Sequence, residues 1–279
     1  MKPMFVAEIG CNHQGDFQLA LRMVDAAARV GVNVVKFQKR DPDSLPDHIR
    51  NMPRKDMENS FGNTYYEHRW ALEFTLEQHL VLKDRCLERG VDYALSVFDL
   101  PSARDAVEIL KPYYIKIGSG VTHNRKLLEY VFLKWKNPVH ISTGMMDQAE
   151  SADIKRLCRK HQVKSVFYHC VSAYPTPYNQ CCIQEIHNLC RDGWDVGFSN
   201  HSLGIALDAP AVALGARWIE RHFTLDKELK GSDHSISLLP VEMKQTIQNC
   251  LHTYEALGMK NGSVQPCEES NRAFYRSWV

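Results

Sequence analysis

The sequence predicts an α/β protein built as a closed (β/α)8 TIM barrel, and three observations lead there. Short β-branched runs alternate with longer stretches of helical periodicity. Eight such units fit a chain of about 250 residues, the usual size of this barrel. No G-x-G-x-x-G turn follows any of the strands. Ordered alternation implies parallel pairing through right-handed crossovers, which eight units close into a ring. The competing architecture, an open doubly wound sheet, ordinarily carries the missing glycine-rich turn.

In chain order the strand candidates are 4–9 (MFVAEI), 33–38 (NVVKFQ), 92–96 (DYALS), 113–117 (YYIKI), 138–142 (PVHIS), 164–170 (KSVFYHC), 194–198 (WDVGF) and 216–222 (ARWIERH). Leu19, Met23, Ala26, Ala27 and Val30 form the apolar stripe of a helix after the first strand. Leu76, Leu80, Leu82 and Leu87 suggest a second stripe, and further helices are expected at 102–111, 124–135, 148–161, 181–192, 203–214 and 240–257. The connection 39–74 is unusually long and holds Asp41, Pro42, Asp43, Pro46, Pro53, Gly62 and Asn63. A loop of that length is either a lid or substrate wall, or a surface excursion containing a short helix. No flexible linker splits the chain, so residues 1–257 read as one barrel domain and 258–279 as a C-terminal tail. Glu268, Glu269, Arg272, Phe274, Tyr275, Arg276 and Trp278 make the tail part charged and part aromatic. It is expected to pack on the barrel or a neighbouring subunit, with disorder as the alternative.

Composition excludes several classes of function. Of 279 residues, 44% are apolar and 24% charged, which is ordinary globular usage. Lys+Arg 34 against Asp+Glu 33 leaves +1, without the basic footprint that nucleic acid or an anionic membrane requires. No apolar run approaches the ~20 residues of a membrane span. The opening MKPMFVAEIG carries Glu8 inside its apolar run, unlike a signal peptide. Nine cysteines with no C-x-x-C pair, among them Cys86, Cys158, Cys170 and Cys250 in apolar runs, suggest reduced core thiols and a cytoplasmic setting. Adjacent Cys181 and Cys182 are expected to point one inward and one outward at a helix start.

In barrels of this type the active site lies where strand C-termini open into the βα loops. All eight candidates end there in polar residues: Glu8 to His13, Lys36 and Gln38, Ser96, Lys116 and Ser119, Ser142, His169, Ser199 to His201, and Glu220 to His222. That convergence points to an enzyme rather than a non-catalytic barrel. Lysine is rarely buried without a partner. Lys36 and Lys116 with Ser96, Ser119, Ser142 and Ser199 suit a phosphate or carboxylate anion. The alternatives are salt bridges to Glu8 or Glu220, or a Schiff-base lysine. His201 and His222 close adjacent strands and could hold a divalent metal, with water and substrate oxygens completing its shell. The alternative is a pair of satisfied polar side chains. No H-E-x-x-H pattern is present.

The strings AEIGCNHQGD, VKFQ, KIGS, STGM, HCVSAYPTPY, FSNHS and IERHFTLD, then GSDHSIS, resemble the sialic acid synthase family in order and spacing. The resemblance runs from about residue 5 to about residue 257. It implies condensation of phosphoenolpyruvate with an N-acetylated hexosamine, giving a nine-carbon 2-keto-3-deoxy sugar acid, a nonulosonate, and phosphate. A variant acceptor such as a diacetamido hexose or a phosphorylated sugar fits the same implication. By resemblance His201 and His222 match the family's manganese-binding histidines, with Mg2+ or Co2+ as alternative metals. Lys36 and Gln38 match the family's K-F-Q strand as catalytic residues, Ser96, Lys116, Ser119, Ser142 and Ser199 match positions that hold phosphoenolpyruvate, and Tyr174 lines that pocket. Ser172 stands where some members carry asparagine. Glu8 matches a glutamate that manages protons, assisted by His13 or Asp233, and Asp233 matches the acid that binds the amino sugar's hydroxyls. Asn200 replaces the Asp common in F-S-D-H, which would remove one charge beside the metal. A homo-oligomer is expected, with a dimer favoured, and no nucleic acid or membrane partner. Similar proteins usually run longer, adding a small antifreeze-like domain whose arginine reaches the partner subunit's acceptor sugar. The ~22 residues after 257 are too few for it. The acceptor contact is then expected from the 39–74 loop, the tail or a separate protein, or the acceptor itself differs.

Overall fold

The computed structural model describes residues 2–278. Eight parallel strands close in sequence order: β1 (Met4–Gly10), β2 (Val34–Lys39), β3 (Asp92–Val97), β4 (Ile115–Ile117), β5 (Val139–Ser142), β6 (Ser165–His169), β7 (Asp195–Asn200) and β8 (Trp218–His222). β1 pairs with β8, so the predicted barrel is complete. The strands are buried on both faces. Outward residues such as Phe5, Ala7, Val35, Leu95, Ile117 and Ile219 pack against the helical ring. Inward, Val6, Val34, Ala94, Tyr114, Val166, Tyr168 and Trp218 fill the lower barrel. That apolar floor leaves the upper layer for polar groups.

Local chemistry sets the helices. Asp16 caps helix Phe17–Val30 by accepting from the amides of Gln18 and Leu19. Gly31, at φ 93°, ends it with the left-handed turn that glycine adopts without strain. Its stripe of Leu19, Met23, Ala26 and Ala27 is buried as predicted. The second stripe is not. In helix Leu76–Glu88 the buried residues are His79, Leu82 and Cys86, while Leu80 is 36% and Leu87 57% exposed. The i, i+3, i+7 spacing of 79, 82 and 86 defines one face, whereas 80 and 82 cannot share one. A histidine on that face is tolerated because its Nδ1 lies 2.8 Å from the Tyr93 hydroxyl.

The 39–74 connection is folded. It contains a 3-10 turn (Pro42–Ser44), helix Asp47–Arg50, an antiparallel bridge between Pro53 and Thr64, and helix Tyr65–Leu72 begun by a Thr64–Glu67 capping box. In the tail every side chain of helix Glu269–Arg276 is exposed, and the rings of Phe274, Tyr275 and Trp278 lie 5.2–5.3 Å from one another. All nine cysteines are free. Cys86, Cys158, Cys170 and Cys250 are buried, and Cys181 faces inward while Cys182 faces out. Among the described residues no helix is long and apolar enough to cross a membrane.

Helices Phe17–Val30 and Leu76–Glu88 are clasped by Asp25, which accepts from Arg85 Nε and Arg89 Nε at 2.8 Å each. The Arg89 hydrogen bond first, and Arg85 with it, hold the Asp25 carboxyl below its usual 3.8. Both guanidiniums are partly in solvent, so the clasp is worth no more than about 1 kcal/mol. Asp25→Asn should lower the melting temperature at neutral pH by about 2 °C. Because the folded pKa is depressed, that stability is present above pH 3.8 and lost as pH falls through the folded value. Wild type and variant should therefore converge in thermal scans at lower pH. Equal melting at pH 7 would contradict the clasp.

Candidate active site

Register brings the polar strand ends together. Glu8 of β1 pairs with Lys36 on one side and His222 on the other. Ser96 pairs with Lys116, and Ser199 with Glu220. In-register residues on neighbouring strands project to the same face, so these side chains converge on the barrel axis. Above the floor they line a cavity of about 280 Å³. Twelve predicted residues line it: Glu8, Lys36, Gln38, Ser96, Lys116, Ser119, Ser142, Ser172, Tyr174, Ser199, His201 and His222. Asp233 lies in an adjoining cavity of about 330 Å³ that shares Gln38, Phe98, Tyr174 and His222 with the first. A larger cleft of about 1060 Å³ opens beside helix Gln148–Lys160, but it contains neither lysine and neither of the paired histidines. Size does not mark the site.

The two lysines sit in an alternating charge lattice. Lys36 Nζ pairs with Glu8, donates to Ser96 Oγ at 2.9 Å, and lies 3.6 Å from Glu220 Oε1. Lys116 Nζ is 2.5 Å from Glu220 Oε1 and 3.5 Å from Ser199 Oγ, whose hydroxyl donates to Glu220 at 3.1 Å. The salt bridges that the sequence left as an alternative are therefore present. Burial acts to raise the Glu220 pKa, but Lys116 and then Lys36 outweigh it and hold the carboxyl low. Lys116 moves the other way from its attraction to Glu220: burial lowers its pKa, and Lys36 adds repulsion. The 2.5 Å contact favours the ionised pair, since a neutral amine would leave a buried carboxylate with only Lys36 to answer it. Two ammonium and two carboxylate groups balance, so an entering anion competes with Glu8 and Glu220 for the same Nζ atoms.

Hydroxyls and a thiol complete the opposite wall. Ser119 Oγ lies 3.3 Å from Cys170 Sγ, and Ser172 Oγ 3.8 Å from it. Gly144 makes this convergence possible. A Cβ there would come within 2.4 Å of Ser172 Oγ and 2.6 Å of Ser119 Oγ. His201 and His222 face each other with ring centroids 5.6 Å apart, and Tyr174 lies 4.3 Å from the first ring. His201 Nδ1 bonds the Val171 carbonyl at 3.1 Å, which leaves its Nε2 as the lone-pair nitrogen. Burial first, then His222, lowers its pKa to about 3, so the ring is neutral. His222 Nδ1 is buried with no hydrogen-bond partner among the described residues, and the nearest Asp233 oxygen is 3.9 Å away. Two facing imidazoles, one with an orphaned nitrogen, fit a divalent cation. Among the described residues no group of three or more His, Cys, Asp or Glu could hold a metal, so further ligands would come from water or substrate. Burial acts to raise the Asp233 pKa, but His222 and the Ser232 hydroxyl, 2.8 Å away, outweigh it and hold the carboxyl low.

Two expectations are corrected. His13 does not line either cavity. It is buried in the β1 turn, stacked on Phe74 at 4.1 Å, and its Nδ1 accepts from the Gly15 amide. Burial pushes its pKa to about 3, so it offers no proton to the site. Asn200 does not sit beside the histidines. Its amide donates to buried Asp208 at 2.8 Å, and its carbonyl accepts from Ser202. Asp208 also pairs with fully buried Arg221 at 3.1 Å, and a second carboxylate at 200 would face Asp208 directly. Sequence reasoning gave Glu220 only a neutralising part and passed over Cys170, Phe98, Arg40, Arg54 and Arg69, all lining the two cavities. Glu220 had a signal: it stands two residues before His222, hence on the same strand face. The loop arginines had none, because no period places them.

Glu220 is the hinge of the lattice. Glu220→Gln leaves Lys116 buried beside a neutral amide and should cost about 3 kcal/mol in urea unfolding. An unchanged midpoint would show that the lattice does not hold the barrel mouth.

Comparison with known proteins agrees with this geometry. A family model described as NeuB family matches residues 23–262. N-acetylneuraminate-9-phosphate synthase of Mus musculus is 36% identical over 270 residues, covering 95% of this chain and 74% of that protein. N,N'-diacetyllegionaminic acid synthase of Legionella pneumophila is 34% identical, covering 96% and 76%. Among solved structures, the N-acetylneuraminic acid synthetase of Leptospira borgpetersenii superposes with a TM-score of 0.85 at 28% identity, covering 99% and 92%. The chain thus spans about three quarters of the length of the curated relatives named here. On a match this long and on relatives above 30% identity, the chain belongs to the NeuB family, the family of sialic acid synthases.

Proposed function

We propose that this chain condenses phosphoenolpyruvate with an N-acetylated amino-sugar aldehyde, giving a nonulosonate-type 2-keto-3-deoxy sugar acid and inorganic phosphate. The observation that carries the reading is the single cavity in which two lysines, five serines and two facing histidines converge, in a chain of this family. Lys36 and Lys116 take the phosphate and carboxylate of phosphoenolpyruvate, with the Ser96, Ser119, Ser142 and Ser199 hydroxyls filling the remaining acceptor sites. Glu8 and Glu220 give up part of their ammonium contacts to the incoming anion, and the hydroxyls set its orientation.

His201 and His222 would hold a divalent metal, most simply Mn2+, whose chemistry when bound is Lewis-acid polarisation of the acceptor aldehyde. The carbon–carbon bond forms from C3 of phosphoenolpyruvate to the aldehyde carbon, whose oxygen takes a proton. Water adds at C2, and the C2–O bond to phosphate then breaks with phosphate as leaving group. Glu8 moves the water's proton. It is placed for this by Gln38, whose Nε2 donates to Glu8 Oε1 at 2.6 Å. Asp233 accepts from acceptor hydroxyls at the cavity boundary. A Schiff-base route is less well served, because each lysine is paired with a buried carboxylate rather than held as a free amine. Among the curated relatives some names carry a 9-phosphate product and others do not, so the family leaves the acceptor open. The nine free thiols support a cytoplasmic setting. The exposed tail aromatics support the expected homodimer.

Phosphate release from phosphoenolpyruvate, Mn2+ and an N-acetylhexosamine panel tests this directly. Turnover should fall at least ~100-fold with EDTA and with His222→Ala, a loss in keeping with a Lewis-acid role of several kcal/mol. A borohydride-trapped lysine adduct with pyruvate would sink the mechanism, as would turnover indifferent to EDTA.

A further inference from the structure

Beneath the charge lattice the barrel floor does more than fill space. Tyr168 is fully buried and turns its ring face to Lys116, whose Nζ lies 4.3 Å from the ring centroid. Tyr168 does not line the anion cavity, so the ring can act on an anion only through that ammonium. Two neighbours fix the ring. Gly197 pairs with Tyr168 across β6 and β7, and a Cβ there would come within 2.6 Å of the ring, which therefore lies against bare backbone. At the far end the hydroxyl meets His140 Nδ1 at 3.1 Å, and His140 is itself stacked on Tyr114 at 3.5 Å with planes 5° apart. Burial, the largest cause in each case, lowers the His140 pKa and raises that of Tyr168, so both rings are neutral.

Lys116 needs such a partner. Its carboxylate contact is Glu220 Oε1 at 2.5 Å, an atom that Lys36 Nζ also approaches, at 3.6 Å. The contact with Ser199 Oγ, at 3.5 Å, is long for a hydrogen bond. An entering anion competes with Glu220 for the ammonium, and Lys36 repels that ammonium from the side. A neutral ring face does not enter this competition, because its attraction comes from the ring quadrupole and an anion displaces nothing there. That attraction is stronger where the cation is stripped of water, and the Lys116 side chain is only 4% exposed.

We propose that Tyr168 is a positioning residue of the anion site, its ring face holding Lys116 Nζ in place while Glu220 yields part of its contact to the substrate anion. This rests on the function proposed above and adds a residue to it. Tyr168 touches neither the substrate nor the reacting carbons and acts through Lys116. Gly197 serves the same end by leaving room for the ring.

A graded series at position 168 separates this role from simple packing. Tyr168→Phe keeps the ring face, and phenylalanines carrying one, two or three ring fluorines drain its negative charge at nearly constant shape. Calorimetric titration with phosphoenolpyruvate, and with inorganic phosphate alone, reads the anion site without needing turnover. Tyr168→Phe should bind both within about threefold of wild type, while the trifluorinated ring and Tyr168→Leu should bind about 10-fold more weakly. Affinity should fall stepwise with fluorine count, which a residue that merely fills the floor would not produce. Affinity that is flat across the series, with thermal scans showing every protein folded, would overturn the proposal. A wild type that binds neither phosphoenolpyruvate nor phosphate would overturn the anion site and this role together. Binding without phosphate release from any amino sugar would count against the condensation alone, and the fluorine series would still decide the role of Tyr168.

Discussion

Two lysines buried at the mouth of a barrel must have their charge answered, and most of this structure follows from how that is done. Lys36 and Lys116 alternate with Glu8 and Glu220 across four strands, tying β1, β2, β4 and β8 together where a TIM barrel is most open. Such an arrangement is weak evidence for stability, because desolvation offsets much of the attraction. Its value lies in chemistry. Ammonium groups already stripped of water and held by fixed partners would need little reorganisation to meet an anion. The apolar floor of Tyr114, Tyr168 and Trp218 keeps water out from below, and the serines and facing imidazoles ring the layer above.

The fold was legible because its signals are periodic. Eight β-branched runs gave eight strands, and the polar residues at their ends converged on one cavity because parallel register carries strand position into space. The misreadings fall where period gives no guidance. His13 follows a strand end, yet the turn folds it back under Phe74, and sequence position cannot tell which of several consecutive loop residues turns inward. Asn200 precedes His201 in sequence but points to the opposite face, which is what strand alternation requires of neighbours. In the helix after Phe74, leucine identity suggested a face that the 79, 82, 86 spacing overrides.

The long connection after β2 shows a different limit. Its prolines and polar residues announce a loop, but nothing in the chain says where that loop lies. The structure sets it over the open side of the mouth, where it brings arginines to a cavity that the strands alone leave incomplete. The barrel's rigid register thus fixes the strand-borne part of the site, while an aperiodic loop supplies a wall of the adjoining cavity. This division of labour is common where function sits on loops carried by a scaffold.

The central claim is that the buried lysines are the anion site and not merely half of a structural lattice. A charge-balanced variant separates the two roles, since Lys116→Met/Glu220→Gln removes one positive and one negative group together and spares the barrel an unpaired buried charge. Calorimetric titration with phosphoenolpyruvate should show affinity at least ~10-fold weaker than wild type, the scale of one charge-assisted hydrogen bond. Unchanged affinity in the folded double variant would contradict the account.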